Sequence, residues 1–278
     1  YYTPTYIVDY IVKNTVGKFL ECGLQNDERI KILLSKGGAG VVKSPLTKGE
    51  MGVVNPHNPK SKKKSITPKE ISKIRILDPA CGSGSFLLGA YTYLLDWHRD
   101  WYVADGPEKW ATGRSPVLYQ GMGGDWRLTT AECKRILLNN IYGVDIDPQA
   151  VEVTKLSLLL KVLEGESEQT LMKQHKLFHE RALPDLGNNI KCGNSLIGPD
   201  FYEGRQMSLF GDEERYRINV FDWKAEFPEI MKSGGFDAVI GNPPWVFTKY
   251  FDWGEDTKNY IQTVYLSDRE LCGKSRAK

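Results

Sequence analysis

Apolar runs that stop on an acid or an amide recur along this chain. Ile74-Arg75-Ile76-Leu77 stops at Asp78, Ile141-Tyr142-Gly143-Val144 at Asp145, and Phe236-Asp237-Ala238-Val239-Ile240 at Gly241-Asn242. Short runs rich in β-branched and aromatic residues, bounded by Gly, Pro, Asp or Asn, read as buried strands. A fourth and weaker run, Asn188-Asn189-Ile190-Lys191-Cys192, leads into Gly193-Asn194-Ser195-Leu196. The pattern then changes to helical spacing. Phe86, Leu87, Leu88, Tyr91, Leu94 and Leu95 follow the first run and predict a helix from Ser85. Val151, Val153, Leu156, Leu159, Leu160 and Leu163 follow the second, with Asp147 as N-cap and Pro148 at the first helical position. Strands near 74–77, 141–145, 190–192 and 236–240 that alternate with helices predict an α/β protein. Its ligand sites belong at the carboxyl ends of the strands.

The residues at those strand ends carry the chemistry. Asn242 precedes a proline and is held extended, while Pro243 and Pro244 have no N–H, so the backbone there offers only carbonyl acceptors. The Asn242 side chain adds an acceptor and Trp245 a flat face. Rigid acceptors beside a stacking surface suit the exocyclic amine of a planar ring; a proline-terminated strand with a core Trp is the plainer reading. The loop Asp78-Pro79-Ala80-Cys81-Gly82-Ser83-Gly84-Ser85-Phe86 has two glycines that allow close backbone approach to a ligand. It has no Gly-Lys-Ser/Thr and no third dinucleotide-type glycine. Asp78 would repel phosphate and attract an ammonium group; a tight turn with no ligand is the alternative. At the second strand end Asp145 could chelate a ribose diol and Ile146 pack on an adenine ring, leaving Asp147 to cap; both acids could instead merely cap. Asn194 could reach an adenine edge, or sit in an ordinary turn.

Taken in order, these segments resemble S-adenosylmethionine-dependent DNA methyltransferases of the N6-adenine type with gamma-class motif order. The opening Tyr1-Tyr2-Thr3-Pro4-Thr5-Tyr6-Ile7-Val8 is similar to that class's first element, Asp78 to Phe86 to its cofactor loop, and Asn242-Pro243-Pro244-Trp245 to its catalytic tetrapeptide. Asn194 stands where the family often has Asp, and Trp245 where Tyr or Phe is commoner. The Tyr-Tyr-Thr-Pro and Cys-Gly-Asn-Ser-Leu segments look like those of large fused restriction–modification and phage-defence methyltransferases. The resemblance implies a Rossmann-like class I methyltransferase sheet with insertions. It implies S-adenosyl-L-methionine held by Tyr2, Thr3, Pro4, Asp78, Ala80, Gly82, Gly84, Asp145, Ile146, Asn194 and Ser195. The catalytic group would be Asn242, Pro243, Pro244 and Trp245. The reaction would be methyl transfer to N6 of an adenine flipped out of double-stranded DNA. The alternatives are a protein glutamine or RNA amino-methyltransferase and a non-catalytic DNA-binding subunit. The Tyr-Tyr-Thr-Pro opening argues against the first, and labelled methyl transfer to DNA, RNA or protein separates the enzymes.

Composition modifies this little. The net charge is +2, and the basic stretch Pro59-Lys60-Ser61-Lys62-Lys63-Lys64-Ser65 reads as a solvated linker before it reads as a phosphate contact. Five scattered cysteines without Cys-x-x-Cys pairs read as reduced thiols of a cytoplasmic chain, and no apolar stretch is long enough to cross a bilayer. His175 and His179 have helical spacing but no third ligand, so no metal is expected. The expected organisation is an N-terminal helical element (1–22), an irregular basic insertion or linker (23–70) and a catalytic core (71–278). A second, Trp-rich excursion is expected near 97–130. Only four of the family's usual seven strands can be placed. The expectation is therefore a fragment whose partner is the remainder of a longer polypeptide carrying a target-recognition domain, with the 236–240 strand left at an edge.

Overall fold

The computed structural model describes residues 3–18, 20, 66–121, 123–164, 183–203, 211–242 and 254–266. Tyr2, Pro243, Pro244, Trp245, the Lys60–Lys64 stretch and the His175/His179 pair lie outside them, as do Cys22 and Cys272.

Helix α1 spans Thr5–Val12 and runs on into a π-helical turn, Lys13–Gly17. Pro4 is its N-cap. Val8, Val12 and Val16 are buried, and Val8 packs where Gly89 has no side chain. After the undescribed 21–65, α2 (Pro68–Ile71) starts at a capping box in which Thr67 and Glu70 satisfy each other's backbone N–H groups. This one-turn helix crosses the boundary expected at 70/71, because Ile71 is fully buried in the main core. Strand β1 is Ile76–Asp78. It begins later than the apolar run suggested, because Ile74 still donates to the carbonyl of Ile71 at the end of α2 (3.0 Å).

Helix α3 runs from Ser85 to Ala104. The span expected as an excursion therefore starts inside a regular helix. It continues through α4 (Pro107–Trp110) and an antiparallel pair, β2 (Leu118–Gln120) with β3 (Trp126–Leu128). Trp101, Tyr102 and Trp110 stack on one another at ring separations of 4.8–5.9 Å, so these aromatics pack the excursion onto α3. Beneath them Tyr102 donates to Glu132, which Arg135 grips with two guanidinium nitrogens.

Helix α5 (Thr130–Asn140) leads directly into β4 (Ile141–Asp145). Helix α6 (Pro148–Leu163) opens on Asp147, whose side chain accepts from the Gln149 N–H at 2.9 Å. Its buried face is Val151, Thr154, Leu158 and Val162, whereas Val153, Leu156 and Leu160 are exposed. With apolar residues all round this helix, spacing could not select the face that meets the core. Strand β5 (Ile190–Cys192) precedes a 3₁₀ turn at Pro199–Tyr202. Helices α7 (Asp212–Ile218), α8 (Trp223–Glu226) and α9 (Pro228–Lys232) then lead to β6 (Ala238–Val239). Helix α10 (Glu255–Ile261) ends in a second π turn, Gln262–Leu266.

Strands β5, β4, β1 and β6 form a four-stranded parallel sheet in that order. The central β1 pairs Ile76 with Ile141 on one side and with Ala238 on the other. One face is covered by the main core, in which α3, α5 and α6 meet α1. On the other, Leu77, Tyr142 and Val144 of the strands cluster with Phe221, Trp223, Phe227, Ile230 and Phe236. A sheet buried on both faces, with apolar strands, is what parallel strands require. Among the described residues β6 pairs only with β1 and so closes the sheet on that side. No described helix is long and apolar enough to cross a membrane.

Candidate active site

The carboxyl ends of the parallel strands bring most of the singled-out residues together. Asp78 ends β1 opposite Gly143, and Asp145 ends β4 two residues further along the pair. The loop between β1 and α3 bends over these tips because Gly82 and Gly84 take positive φ, +52° and +83°. The Cys81 N–H donates to Val144 O at 3.0 Å and so docks the loop on β4. The Gly82 N–H donates to Asp145 Oδ2 at 2.7 Å, which ties the two acid-tipped strands together through the loop. Asp145 Oδ1 accepts from the Asp147 N–H at 3.0 Å. Each carboxylate oxygen retains a lone pair, so Asp145 can still accept from a diol. Ile146, beside it, is 47% exposed and offers an apolar surface.

Asp78 is the most perturbed acid of the site. It is 1% exposed, and Oδ1 accepts the Ala80 N–H at 3.0 Å. Burial pushes its carboxyl from 3.8 up to about 7; the Ala80 N–H opposes this and the charge of Asp145 adds to it. A buried carboxylate with one backbone donor is poised to receive a cation. Cys81 is not a nucleophile here: burial, then the charges of Asp78 and Asp145, push its thiol up to about 12.

Two residues that the motifs did not single out shape this loop. Thr154 on α6 donates from Oγ1 to Gly82 O at 2.7 Å, and a Cβ on Gly84 would stand 2.9 Å from the Thr154 side chain. Asn219, at φ +47°, accepts the Asn194 N–H on its carbonyl at 2.6 Å and donates from Nδ2 to Ile146 O at 3.2 Å. It thus joins the Asn194 loop to the tip of β4. Thr154 was hidden by its polarity in an apolar helix, and nothing in the sequence around Asn219 signals its role.

Asn194 and Ser195 follow β5, both half-buried. The Asn194 side-chain oxygen accepts the Leu196 N–H at 3.1 Å in an Asx turn. Asn242 stands exposed just past β6, its Nδ2 turned to Thr3 Oγ1 at 3.5 Å. Thr3 immediately precedes Pro4, so the start of α1 lies against the amide that opens the tetrapeptide. The site therefore gathers Asp78, Ala80, Gly82, Gly84, Asp145 and Ile146 at the two central strand tips. Asn194 and Ser195 lie to one side, and Asn242, Thr3 and Pro4 to the other. No group of three potential metal ligands occurs among the described residues.

Comparison with known proteins finds relatives for these segments. Residues 139–270 match the model of the Eco57I restriction-modification methylase. The chain is 32% identical over 183 residues to the type II restriction enzyme and methyltransferase RM.Eco57I of Escherichia coli, covering 66% of this chain and 16% of that protein. It is 33% identical over 213 residues to RM.MjaORFECS2P of Methanocaldococcus jannaschii (75% of this chain, 15% of that protein). It is 26% identical over 189 residues to the adenine-specific methyltransferase PglX of Streptomyces coelicolor (64% and 12%). The chain thus spans 12–16% of the length of these curated relatives. Residues 139–270, which hold β4, the Asn194 loop and Asn242, are thus the part of the chain that is similar to the Eco57I restriction-modification methylase family.

Proposed function

We propose that this chain is the donor-binding and catalytic portion of a DNA methyltransferase with a class I, Rossmann-like fold. It would act on N6 of adenine within a restriction–modification or phage-defence polypeptide. The observation that carries the reading is the joining of two acid-tipped parallel strands by a positive-φ glycine loop, with Asn242 at the tip of the strand next to Asp78.

The residues present fit S-adenosylmethionine. The orphan-prone buried carboxyl of Asp78 suits its ammonium group, Asp145 its ribose hydroxyls, Ile146 the face of its adenine and Asn194 that ring's edge. Gly82 and Gly84 keep side chains out of the approach, and Thr3 and Pro4 sit at the methionine side. When bound, that donor supplies an electrophilic methyl group on a sulfonium. The rest of the task falls to the protein. The N6 amine of adenine is a weak nucleophile because its lone pair is delocalised into the ring. The Asn242 side-chain oxygen and the Pro243 carbonyl would accept its two hydrogens, hold the nitrogen nearer to tetrahedral and aim its lone pair. With Nδ2 of Asn242 turned toward Thr3, its oxygen is presented on the opposite side of the amide. Trp245 would stack on the base, which must leave the duplex to reach these groups. Positioning and charge complementarity would carry the rate enhancement, with no covalent intermediate. A target-recognition portion of the longer polypeptide would deliver the DNA.

Calorimetric titration with S-adenosylmethionine tests the donor site, and methyl transfer by the full-length Asn242→Ala variant tests the catalytic one. That variant should bind the donor normally and transfer no methyl group. Substantial turnover by it would remove Asn242 from the mechanism.

A further inference from the structure

The loop after β5 is braced by side chains that come from much later in the chain. Trp223 Nε1 donates to Ser195 O at 3.2 Å. Tyr265 Oη donates to Leu196 O at 2.8 Å. Tyr260 Oη accepts the Gly198 N–H at 3.2 Å and donates to Asp200 Oδ1 at 2.7 Å. The fit around Gly198 is close: a Cβ there would stand 2.6 Å from Asp200 Oδ1 and 3.4 Å from Tyr260 Oη. Tyr260 is buried, its ring edge-on to Phe201 with centroids 5.3 Å apart. Burial and then the bond to Asp200 raise the Tyr260 hydroxyl above its ordinary range, so it remains a donor at neutral pH.

Leu196 lies at the centre of this bracing. Its carbonyl receives the Tyr265 hydroxyl and its N–H is given to the Asn194 side-chain oxygen. The orientation of the Asn194 amide is thus passed through one peptide residue to Tyr265. Both tyrosines lie on α10 and its π turn, the first described elements after Asn242.

We propose that Tyr260 and Tyr265 are positioning residues for the adenine end of the methyl donor. They hold the Asn194–Gly198 loop in its binding shape, so donor affinity is set in part by the segment that follows the catalytic tetrapeptide. This rests on the site reading given above. A loop already held in the bound shape has less freedom to lose on binding, and its hydrogen-bond groups are oriented before the ligand arrives.

The test is titration of the full-length protein and its Tyr260→Phe and Tyr265→Phe variants with S-adenosylmethionine and with adenosine, alongside donor-dependent methylation kinetics. Tyr260→Phe keeps the ring against Phe201 and loses only the hydroxyl. Tyr265 is half-exposed, so its variant folds even if the other does not. Each variant should weaken both ligands by the same factor, about 3- to 10-fold for the one bond lost at Tyr265 and at least that for the two lost at Tyr260. The defect should fall on KM for the donor rather than on kcat. Wild-type affinities in both variants, whatever their melting temperatures, would show that α10 merely supports the fold and would overturn the proposal. Failure of the wild-type protein to bind either ligand would overturn the site reading itself, which is a different result.

Discussion

Gly241 lies so close to Asp78 that a Cβ on it would stand 2.6 Å from Asp78 Oδ1. The chain passes the buried carboxyl at a φ of +150°, one residue before Asn242. Asp78 and the residue that precedes Asn242 are therefore packed against each other, and each limits where the other can sit. An alanine at 241 must either displace Asp78 or move the strand end. The expected cost of the strained backbone is about 1–3 kcal/mol in unfolding free energy. Transfer should fall further than stability explains, because Asn242 moves with its neighbour. Denaturant unfolding and methylation assays on Gly241→Ala check this; unchanged kinetics would mean that the contact is not transmitted.

Thr154 reaches the Gly82 carbonyl from within α6 at 2.7 Å. Thr154→Val preserves shape and removes the donor, leaving that carbonyl unsatisfied beside the Asp145 contact. The variant should lose about 1–3 kcal/mol of stability, and Thr154→Ser should recover most of it. Donor affinity should fall with Val and return with Ser, read by titration. Equal behaviour of Val and Ser would show that packing on Gly84, not the hydrogen bond, is what the position provides.

Much of this was legible from the residues, for identifiable reasons. Strands buried on both faces must be apolar along their length, so runs that end at Asp78, Asp145 and Asn242 mark both the strands and the tips at which the proposed site lies. Asp147 and Pro148 form a local start signal, and the helix begins where they place it. Features that depend on distant partners were not legible. The buried face of α6 includes a threonine because Gly82, 72 residues earlier, needs a donor. Asn219 acquires its role only when β5 lies beside β4. The 20 residues of α3 run through the start of the expected excursion because Trp97, Trp101 and Tyr102 continue to find aromatic neighbours.

Asn140 ties the entry of the two central strands together at the end of the sheet far from the site. It is fully buried, and its Nδ2 donates to both Ile71 O and Ile74 O at 2.7 Å. Those carbonyls close α2 and lead into β1, while Asn140 itself leads into β4. Asn189 does the same one strand over, donating to Leu138 O and Ile141 O at 2.9 Å. Asn140→Ala would remove a donor from Ile74 O, leave Ile71 O with the Ile74 N–H alone and open a small cavity, for an expected loss of about 2–4 kcal/mol. Asn140→Asp should also destabilise, since an anion facing two carbonyls lacks the donors. Thermal unfolding of the two variants decides whether the amide hydrogens, rather than side-chain volume, hold this joint.

The proton on Asp78 makes stability depend on pH. Its carboxyl is raised from 3.8 to about 7 in the folded protein, chiefly by burial. The folded state thus holds this proton more tightly than the unfolded chain. The resulting stabilisation is complete below pH 3.8 and is lost as pH rises through about 7. Asp78→Asn keeps an acceptor for Ala80 and cannot ionise. Relative to that variant, the ligand-free wild-type protein should lose stability from pH 4 to pH 8, by about a few kcal/mol. A bound ammonium group reverses the preference by favouring the carboxylate, so donor binding near pH 6 should expel a proton. The calorimetric heat would then depend on the ionisation enthalpy of the buffer for the wild type and not for Asp78→Asn. Parallel stability profiles for the two proteins, together with buffer-independent binding heats, would mean that Asp78 is already ionised in the free protein and that the cation meets a preformed charge.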